Sequence, residues 1–373
     1  MSTTDAPAMR SGQPLALGQR LLRSRVLAAL ASPHGVDRYL EQVNPMWAAH
    51  EVRAKVVDVH REVDVPGHPP VATITLQPTS TWRGHRAGQH VQLGVEVHGA
   101  RRTTRVFTVS SPDSRHGDRF TITLRANPDG VVSRFLVEEA TPGTIVHLSQ
   151  AEGDFVLPDR VPEHVLFLSG GSGITPVMSM LRSLQRRTHR GRVTFVHYAQ
   201  SPEHQIFADE LDRVRRSGDG IDVHLLHPEL GDPNLSPAFL ERLVPGYRDV
   251  PTWACGPAPL IEAVQAAYDG SEALRVEYFK PPRVADAGTA EGSVAFSRSG
   301  KEAPNTGASL LEQAEALGLK PEFGCRMGIC FSCTSRKSEG TVRNVLTGEE
   351  SSLPDEDIRI CVSAPVGDCV VDV

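Results

Sequence analysis

The stretch that decides the fold reads Phe323-Gly324-Cys325-Arg326-Met327-Gly328-Ile329-Cys330-Phe331-Ser332-Cys333. Its three cysteines are spaced C-x4-C-x2-C, and Cys361 follows at a distance. This is the ligand pattern of a [2Fe–2S] cluster, in which four thiolates converge on two iron ions. Gly324 and Gly328 let the loop backbone approach the sulfurs and direct its amides at them. The predicted metal ligands are Cys325, Cys330, Cys333 and Cys361.

Spacing alone leaves other uses of these cysteines open. A structural zinc site usually pairs two short C-x2-C hooks, whereas this chain has one compact triple and the distant Cys361. Disulfide bonds are typical of secreted proteins, and nothing marks this chain as secreted. Inert buried thiols are the third alternative. The pattern favours the iron–sulfur cluster over all three.

Length and charge limit the classes of protein to consider. A chain of 373 residues exceeds one typical hydrophobic core, so two or three domains are expected. Its 39 basic and 45 acidic residues give a formal net charge of −6. This balance provides no basic field for nucleic acid, and the sequence has no recognition motif for it.

Hydropathy and cysteine content indicate the compartment. No apolar run is long enough to cross a bilayer, and the opening Met1-Ser2-Thr3-Thr4-Asp5 does not resemble a signal peptide. Six cysteines, four of them predicted ligands, are typical of a reducing compartment. We therefore expect a cytoplasmic protein. Cys255 and Cys369 are the cysteines left over.

Residues 1–50 differ in pattern from the rest of the chain. Apolar residues recur there at helical spacing, namely Leu17, Leu21, Leu22, Val26, Leu27 and Leu30. Arg20, Arg23 and Arg25 take other faces, so a short basic amphipathic helix is predicted. Five arginines against two aspartates and one glutamate give this segment a net charge of +2. Such a helix can lie on a membrane, contact a partner or pack on its own domain.

Residues 51–157 alternate in hydrophobicity and predict an antiparallel barrel. Short strands separated by Gly, Pro and Asp turns are expected at 52–59, 72–76, 90–95, 105–109 and 120–124. A helix is expected to follow Pro128-Asp129-Gly130 and to run through Ser133 to Glu139. Arg105, Phe107 and Thr108 place a cation, a ring and a hydroxyl on one strand, which suits a cofactor with a phosphate and a flat ring system. Gly130-Val131-Val132-Ser133 opens the predicted helix, where amides attract a pyrophosphate.

Residues 158–282 change to alternating strands and helices. The apolar run Val165-Leu166-Phe167-Leu168-Ser169 enters the turn Gly170-Gly171-Ser172-Gly173-Ile174-Thr175-Pro176, and a helix follows. This arrangement places a dinucleotide pyrophosphate at a helix start, although the spacing is not the G-x-G-x-x-G fingerprint. A later strand ends in Cys255-Gly256-Pro257, so both turns should face one crevice. Cys255 as a nucleophile is an alternative, but no base accompanies it in sequence.

The C-terminal part begins after a linker. Residues 283–291 are rich in Pro, Ala, Gly and Asp and predict a flexible connection. Residues 292–373 carry eight basic and twelve acidic side chains, so an acidic face suited to a basic docking partner is expected.

Taken together, the motifs for the three cofactors predict a single electron-transfer protein. A nicotinamide gives up two electrons as hydride, whereas a [2Fe–2S] centre accepts one. A flavin must therefore lie between them and pass electrons singly. The modules follow the order flavin, nicotinamide, iron–sulfur along the chain.

At this point the chain resembles a known family over nearly its whole length. The barrel strand, the two glycine turns, Cys255-Gly256-Pro257 and the cysteine loop are similar to the ferredoxin–NADP reductase superfamily with a fused plant-type ferredoxin. The resemblance implies a multidomain protein: an antiparallel β-barrel for FAD, an α/β parallel-sheet domain for NADH or NADPH, and an α+β β-grasp ferredoxin domain. The expected boundaries are 1–50 for the N-terminal extension, 51–157, 158–282, 283–291 for the linker, and 292–373.

The resemblance also implies roles for individual residues. Arg105 would bind the flavin phosphate, Phe107 would stack on the isoalloxazine, and Thr108 would lie near its N5 edge. The flavin site would also include Val109, Ser110, Gly130, Val131, Val132 and Ser133. The nicotinamide dinucleotide would be held by Gly170, Gly171, Ser172, Gly173, Ile174, Thr175, Pro176 and Pro257. Cys255, Gly256 and Glu277 would lie close to both rings, and the catalytic residues would be Thr108, Cys255 and Glu277.

Two departures from the family pattern matter. The family usually has tyrosine and serine where Phe107 and Thr108 stand, so one hydroxyl is lost while stacking and one hydrogen-bonding group remain. Many NADP-binding members place an arginine after the second α/β strand, where this chain has Gln200 in Tyr198-Ala199-Gln200-Ser201. At this position the chain therefore lacks the arginine that would bind a 2′-phosphate.

The expected function is electron transfer from NADH or NADPH to a separate protein. The first fifty residues and the cysteine loop look most like reductases that serve membrane di-iron fatty-acyl desaturases, which implies peripheral membrane association through the partner and a monomeric reductase. Relatives with these domains serve Rieske-type ring hydroxylases, phenylacetyl-CoA epoxidase or P450s. Two alternatives remain: a redox-sensing regulatory protein, and a flavoenzyme that reduces oxygen or a small molecule directly.

Overall fold

Three sheets build the molecule. The computed structural model describes residues 35–97, 102–279, 290–324, 326–328 and 331–373. The amphipathic helix predicted over 17–30, the linker residues 283–289 and the predicted ligands Cys325 and Cys330 lie outside these described residues.

The first sheet is the predicted antiparallel barrel. Its strands β1 to β6 are Val52–Val63, Val71–Pro78, His90–Val95, Thr103–Thr108, Phe120–Arg125 and Ile145–Leu148. They are ordered β4-β3-β6-β1-β2-β5, and every pairing is antiparallel. A bridge between Val109 and Ile122 joins the two edge strands, so the sheet closes on itself. Trp82 stacks on Phe120 inside the closed sheet, with ring centroids 4.8 Å apart.

Two short helices flank this barrel. Helix α1, Val36–Val43, precedes β1, and helix α2, Val131–Arg134, continues as a wider π-type turn over Phe135–Glu139. The sequence predicted α2 but not strand β6, because only four residues of β6 pair and three of them are partly exposed.

The second sheet is parallel throughout. Strands β7 to β11 are His164–Gly170, Arg192–Tyr198, Ile221–Leu226, Thr252–Gly256 and Leu274–Tyr278, ordered β11-β10-β7-β8-β9. Helices α3 to α6 are Ile174–Arg186, Ala208–Ser217, Pro237–Leu243 and Ala258–Tyr268. The sequence analysis missed α5, whose start is capped by Ser236 accepting from the Phe239 amide at 3.2 Å.

The barrel and the parallel sheet share one apolar core. Val71 and Phe155 from the barrel side belong to the same buried cluster as Phe167 and Val177 from the α/β unit. Trp253 Nε1 donates to the Val156 carbonyl at 3.2 Å across this boundary. A common core fixes the two units relative to each other, which matters for a site between them.

The third sheet is mixed and carries the cysteine loop. Strands β12 to β17 are Ser293–Phe296, Lys301–Pro304, Thr334–Asn344, Glu350–Ser351, Glu356–Arg359 and Ser363–Val371. Strands β12 and β17 are parallel, and the other pairings are antiparallel. Helix α7, Leu310–Ala316, begins at a capping box in which Ser309 accepts from the Glu312 amide at 3.3 Å.

Strand β14 shows why the sequence pattern was insufficient in this unit. Its polar stretch Ser335-Arg336-Lys337-Ser338-Glu339 has no apolar alternation, and irregularities interrupt its pairing with β17 on both sides of Gly340. Lys337 is fully buried, and its ammonium donates to the carbonyls of Gly340 and Leu353 at 2.9 and 2.5 Å.

Among the helices that the structure describes, none combines the length and apolarity needed to traverse a bilayer.

Candidate functional site

A cavity of about 300 Å³ lies where all three sheets meet. Strand β4 contributes Arg105, Val106, Phe107 and Thr108, and the cysteine loop contributes Gly324 and Met327. The remaining lining residues are Thr123, Leu124, Arg125, Asn127, Gly130, Val132, Ser133, Ser172, Thr175 and Phe279. The cavity, which we call the barrel cavity, therefore brings together residues that the sequence analysis assigned to three different modules.

Strand β4 presents most of its predicted residues to the barrel cavity, but not all of them. Thr108 is buried, and Arg105 and Phe107 are half-buried. Val109 and Ser110 do not line the cavity. Instead, the Ser110 hydroxyl lies 2.9 and 2.8 Å from the hydroxyls of Thr121 and Thr123 within the barrel wall.

The turn into α2 forms a second wall of the barrel cavity. Gly130, Val132 and Ser133 line it, whereas Val131 is exposed on the other side. A Cβ atom at Gly130 would lie 2.5 Å from Ser133 Oγ, so only glycine fits there without displacing that hydroxyl. The Ser133 hydroxyl in turn accepts from the Asn127 amide at 3.1 Å and holds the turn in place.

A second cavity of about 490 Å³ lies at the carboxyl ends of the parallel strands, and we call it the sheet-edge cavity. Its lining includes Gly170, Gly171, Pro257 and the segment Tyr198-Ala199-Gln200. Of the other predicted nucleotide residues, Ser172 and Thr175 line the barrel cavity instead. Gly173, Ile174, Pro176, Cys255 and Gly256 line neither cavity.

Gly173 explains how the two predicted turns come together. A Cβ atom there would lie 2.2 Å from the Cys255 carbonyl oxygen, so the start of α3 packs directly on the end of β10. Gly171 has φ +54°, in the left-handed region that favours glycine. The glycines thus permit a close approach of backbone to backbone. The sequence analysis expected such an approach, because it predicted that the two turns face one crevice.

Arg125 is the residue that the sequence analysis missed. It ends strand β5 and lines both cavities. Burial lowers the pKa of its guanidinium, and within the described part of the chain this group has no ion pair or hydrogen bond. A half-buried cation without a counter-ion, shared by two cavities, is suited to an anionic ligand that reaches both. The feature of the sequence that could have identified Arg125 is its position at the end of a predicted barrel strand.

Glu277 and Cys255 end neighbouring strands in register. Burial raises the pKa of the Glu277 carboxyl to about 8, and its Oε2 atom is buried with no hydrogen-bond partner among the described residues, although the residue as a whole is partly exposed. Burial and the nearby Glu277 also raise the pKa of the Cys255 thiol. A protonated thiol is a poor nucleophile, so the structure does not favour a nucleophilic Cys255.

The cysteine loop lies beside the end of strand β16. The Sγ atoms of Cys333 and Cys361 are 3.1 Å apart, and both residues are buried. Arg359 braces the described part of the loop, because its guanidinium donates to the Gly328 carbonyl and lies 5.0 Å from the Phe331 ring centroid. Two converging buried sulfurs fit the predicted iron–sulfur cluster, which does not need the second C-x2-C pair of a structural zinc site.

The loop also touches the barrel through one aromatic ring. Arg105 Nη1 donates to the Phe323 carbonyl at 3.3 Å, and its guanidinium lies 4.8 Å from the Phe323 ring centroid. Arg326 covers the same ring at 3.9 Å and is held by an ion pair with Glu315. Phe323 therefore joins the cysteine loop to the strand that lines the barrel cavity.

Comparison with family models assigns the three units. Residues 70–157 match the oxidoreductase FAD-binding domain, residues 167–266 match the oxidoreductase NAD-binding domain, and residues 295–366 match the 2Fe-2S iron-sulfur cluster binding domain. The chain belongs to the ferredoxin–NADP reductase superfamily with a fused 2Fe-2S domain. It is a flavin and iron–sulfur oxidoreductase, so the predicted fold class and cofactors are confirmed.

Individual relatives agree with this assignment. The reductase is 37% identical to an NADPH oxidoreductase of Mycobacterium tuberculosis, an alignment that covers 94% of this chain and 91% of the relative. It is 31% identical to the glycine betaine monooxygenase reductase subunit of Pseudomonas aeruginosa, over 77% of this chain and 87% of the relative. Phthalate dioxygenase reductase shares the fold with a TM-score of 0.56 at 23% identity, covering 86% of this chain and 97% of that one.

The described residues fit the cofactors that the family uses. Around the barrel cavity, Arg105 and Arg125 offer cations for phosphate, Phe107 offers a ring for stacking, and Gly130 leaves a gap that a side chain would fill. Glu277 itself lines neither cavity; it lies two residues before Phe279, which lines the barrel cavity, and its buried Oε2 atom has no hydrogen-bond partner among the described residues. At the cluster, Cys333 and Cys361 already converge.

Replacing Glu277 with glutamine should stabilise the reductase increasingly as pH rises. Between its usual pKa near 4.5 and about 8, the unfolded chain releases the proton while the folded chain keeps it, so stability falls with rising pH. Glutamine carries no such charge. We expect Glu277→Gln to change the melting temperature little at pH 5 and to raise it by about 2 °C or more at pH 9.

Thermal unfolding of the apoprotein at several pH values measures this effect. Glu272→Gln is the matched control, because Glu272 is exposed at the start of the same segment. A gain that is the same at pH 5 and pH 9 would show that the Glu277 carboxyl is not held in its neutral form.

Proposed function

We propose that the reductase oxidises NADH or NADPH and passes the electrons, one at a time, to a separate oxygenase or desaturase component. The observation that carries the proposal is the barrel cavity, which residues of the FAD unit, the nucleotide unit and the cysteine loop line together. Such a junction is the arrangement that transfer between three redox groups needs, since each step requires the groups to be adjacent.

Residues of the chain have distinct tasks in this proposal. Arg105 and Arg125 neutralise phosphate charge, Phe107 supports the flat ring of FAD, and Thr108 offers a hydroxyl at the ring edge. Bound there, FAD supplies the conversion between two-electron and one-electron chemistry. Glu277, neutral near pH 7, can donate or accept a hydrogen bond through its Oε2 atom, which is buried although the residue as a whole is partly exposed, and the neighbouring Cys255 is fully buried.

Gly170, Gly171 and Pro257 would hold the dinucleotide in the sheet-edge cavity. Arg125 is the only arginine or lysine among the described residues that line this cavity, and it lies at the side shared with the barrel cavity. Gln200 itself lines the cavity and stands at the position where many NADP-binding members place an arginine. NADH and NADPH must both be tested for this reason.

The nature of the acceptor rests on two kinds of support. Relatives at about 30% identity include reductase components named for a glycine betaine monooxygenase and a 3-ketosteroid 9-alpha-monooxygenase, which supports an oxygenase. The resemblance of Asn44-Pro45-Met46-Trp47 and of the cysteine loop to reductases of di-iron fatty-acyl desaturases supports a desaturase as the specific partner. We favour the desaturase within this wider oxygenase class.

Anaerobic titration of the purified reductase with NADH, and separately with NADPH, tests the proposal. We expect the flavin absorbance to bleach first and the electron paramagnetic resonance signal of a reduced [2Fe–2S] centre to follow, with turnover in the usual enzyme range when cytochrome c is added. Flavin bleaching without any cluster signal would contradict the proposed exit route. If neither nucleotide reduces the flavin, the protein is not an NAD(P)H reductase, and a sensing role gains support.

A further inference from the structure

Helix α3 carries a row of polar side chains on a buried face. The helix begins directly after the glycine turn, and Thr175 in its first turn lines the barrel cavity. Further along, Ser179, Arg182 and Ser183 lie three and four positions apart, which places them on one face of the helix. The two serines are fully buried, and the arginine side chain is only 17% exposed. Because buried polar groups need partners, this face must contact polar groups of the chain.

The partners are backbone groups of residues 110–113, the segment that follows strand β4. Three hydrogen bonds join the helix to this segment: the Ser179 hydroxyl donates to the Ser111 carbonyl at 2.5 Å, Arg182 Nη1 donates to the Ser110 carbonyl at 2.6 Å, and the Asp113 amide donates to Ser183 Oγ at 2.9 Å. Strand β4 lines the barrel cavity as far as Thr108. The helix that begins at the nucleotide turn is therefore tied to the continuation of the strand that lines the barrel cavity.

Arg182 is held in one orientation by two further residues. Its Nε donates to Glu210 Oε1 at 2.9 Å and its Nη2 donates to Oε2 at 2.5 Å, so the ion pair is bidentate. Its guanidinium also lies 4.5 Å from the ring centroid of Phe207. Phe207 is buried just before helix α4 and has φ +59°, in the left-handed region that a bulky side chain rarely adopts. Strained backbone of this kind persists only where the surrounding contacts hold it.

Ser110 passes the contact with Arg182 on to the barrel wall. Its amide donates to the Thr121 carbonyl at 2.8 Å, and its hydroxyl lies 2.8 Å from that of Thr123, which lines the barrel cavity. Its carbonyl is the group that accepts from Arg182. Arg182 itself lines neither cavity. It can therefore affect a reaction in the barrel cavity only by fixing the residues that form the cavity wall.

We propose that Arg182 is a positioning residue for hydride transfer from the nicotinamide nucleotide to FAD. By holding helix α3 against residues 110–113, it fixes the distance between the nucleotide turn and strand β4. In this step the dihydronicotinamide loses one hydrogen with two electrons and FAD gains them, so no further reactant is needed. This role of Arg182 rests on the proposed function, because it requires both cofactors to bind at the two cavities. A misplacement of reacting groups by about 1 Å can slow a reaction about a hundredfold.

Anaerobic rapid mixing of the reductase, with its cofactors bound, with NADH or with NADPH measures this step. In Arg182→Lys the charge remains, but a lysine cannot form the bidentate pair with Glu210 and also reach the Ser110 carbonyl. We expect the limiting rate of flavin reduction to fall about tenfold in Arg182→Lys and about a hundredfold in Arg182→Ala. The nucleotide concentration that gives half of this rate should change by less than about twofold. A deuterium isotope effect at the transferred hydrogen should persist in both variants.

Two more variants separate positioning from a general loss of stability. Arg192→Ala is the matched control, because Arg192 pairs with Asp222 at 3.0 Å on the surface of the same unit, and its flavin should be reduced as in wild type. Glu210→Gln keeps the shape of the partner of Arg182 without its charge, and we expect its limiting rate to fall by about threefold or more. In all variants the FAD content, the flavin and cluster spectra, and the reoxidation of dithionite-reduced flavin by ferricyanide should be unchanged.

Wild-type limiting rates in Arg182→Lys and Arg182→Ala would overturn the positioning role. A fall in rate that comes with an equal loss of FAD or of nucleotide affinity would also overturn it, since Arg182 would then only stabilise the fold. If Arg182→Ala does not fold, Arg182→Lys and Glu210→Gln decide, and normal limiting rates in both would refute the role. Failure of either nucleotide to reduce the wild-type flavin would instead refute the proposed function, so the two failures are distinguishable.

Discussion

Replacing Cys333 with serine is expected to abolish electron delivery to cytochrome c while leaving reduction of ferricyanide by the flavin largely intact. Cys333 and Cys361 bring their sulfurs to 3.1 Å in a buried site, and they belong to the C-x4-C-x2-C…C ligand set. Loss of even an outer partner of a metal site typically costs about 10- to 100-fold. We therefore expect cytochrome c reduction to fall by more than about a hundredfold when a ligand itself is lost.

Iron and acid-labile sulfide content, together with the two acceptor assays, measure this result. Cys369→Ser is the control, because Cys369 is buried in the same core but falls outside the ligand set. It should keep the cluster and both activities. Retention of iron and of cytochrome c reduction by Cys333→Ser would show that the ligand assignment is wrong, and loss of both activities would show that the flavin does not work independently of the cluster.

The second large effect is expected from replacing Arg105 with alanine. This change should weaken the affinity for FAD by about a hundredfold or more. Arg105 lines the barrel cavity, and charge-assisted hydrogen bonds contribute about 1.5–3 kcal/mol each. Arg105→Lys should be intermediate, since lysine keeps the charge but loses the planar fork. Flavin content after purification and fluorescence titration of the apoprotein with FAD give the affinity.

Arg102→Ala is the control for Arg105, because Arg102 lies just before the same strand and pairs with Glu96 at 3.3 Å on the surface. It should bind FAD as wild type does. If Arg105→Ala binds FAD with normal affinity, Arg105 does not bind the flavin phosphate.

A second variant separates the two contacts of Arg105. Phe323→Ala removes the ring that Arg105 and Arg326 cover but leaves the guanidinium in the cavity. We expect FAD affinity to be kept while reduction of the cluster by the flavin slows by about tenfold, since small misplacements of reacting groups have large effects on rate. Rapid-mixing spectroscopy under anaerobic conditions follows the cluster directly. An unchanged rate would mean that Phe323 does not position the loop.

Prediction from the sequence succeeded where a short stretch of chain specifies its own geometry. The parallel strands were predicted because runs such as Val165-Leu166-Phe167-Leu168 are apolar on both faces, as buried strands must be. The glycine turn after β7 was predicted because it links a buried strand to a helix. Strand β14 was missed because its polar residues and interrupted pairing hide the alternation.

The candidate site was predicted only in part, for a related reason. The identity of strand β4 as a wall of the cavity followed from its residue types, but which of its residues face inward depends on the closure of the barrel, which turns Val109 and Ser110 away. Arg125, Phe279 and Met327 line the barrel cavity and come from three different units. No local pattern in the sequence relates them.

The sequence by itself determined the number and kind of redox modules, because cluster ligation and the strand–turn–helix arrangement depend on residues close together along the chain. Tertiary structure alone decided which residues share a cavity, since Arg105 and Phe323 meet across 218 positions of sequence. It also decided the protonation of Glu277, because desolvation depends on how the folded chain surrounds the carboxyl rather than on its neighbours in sequence.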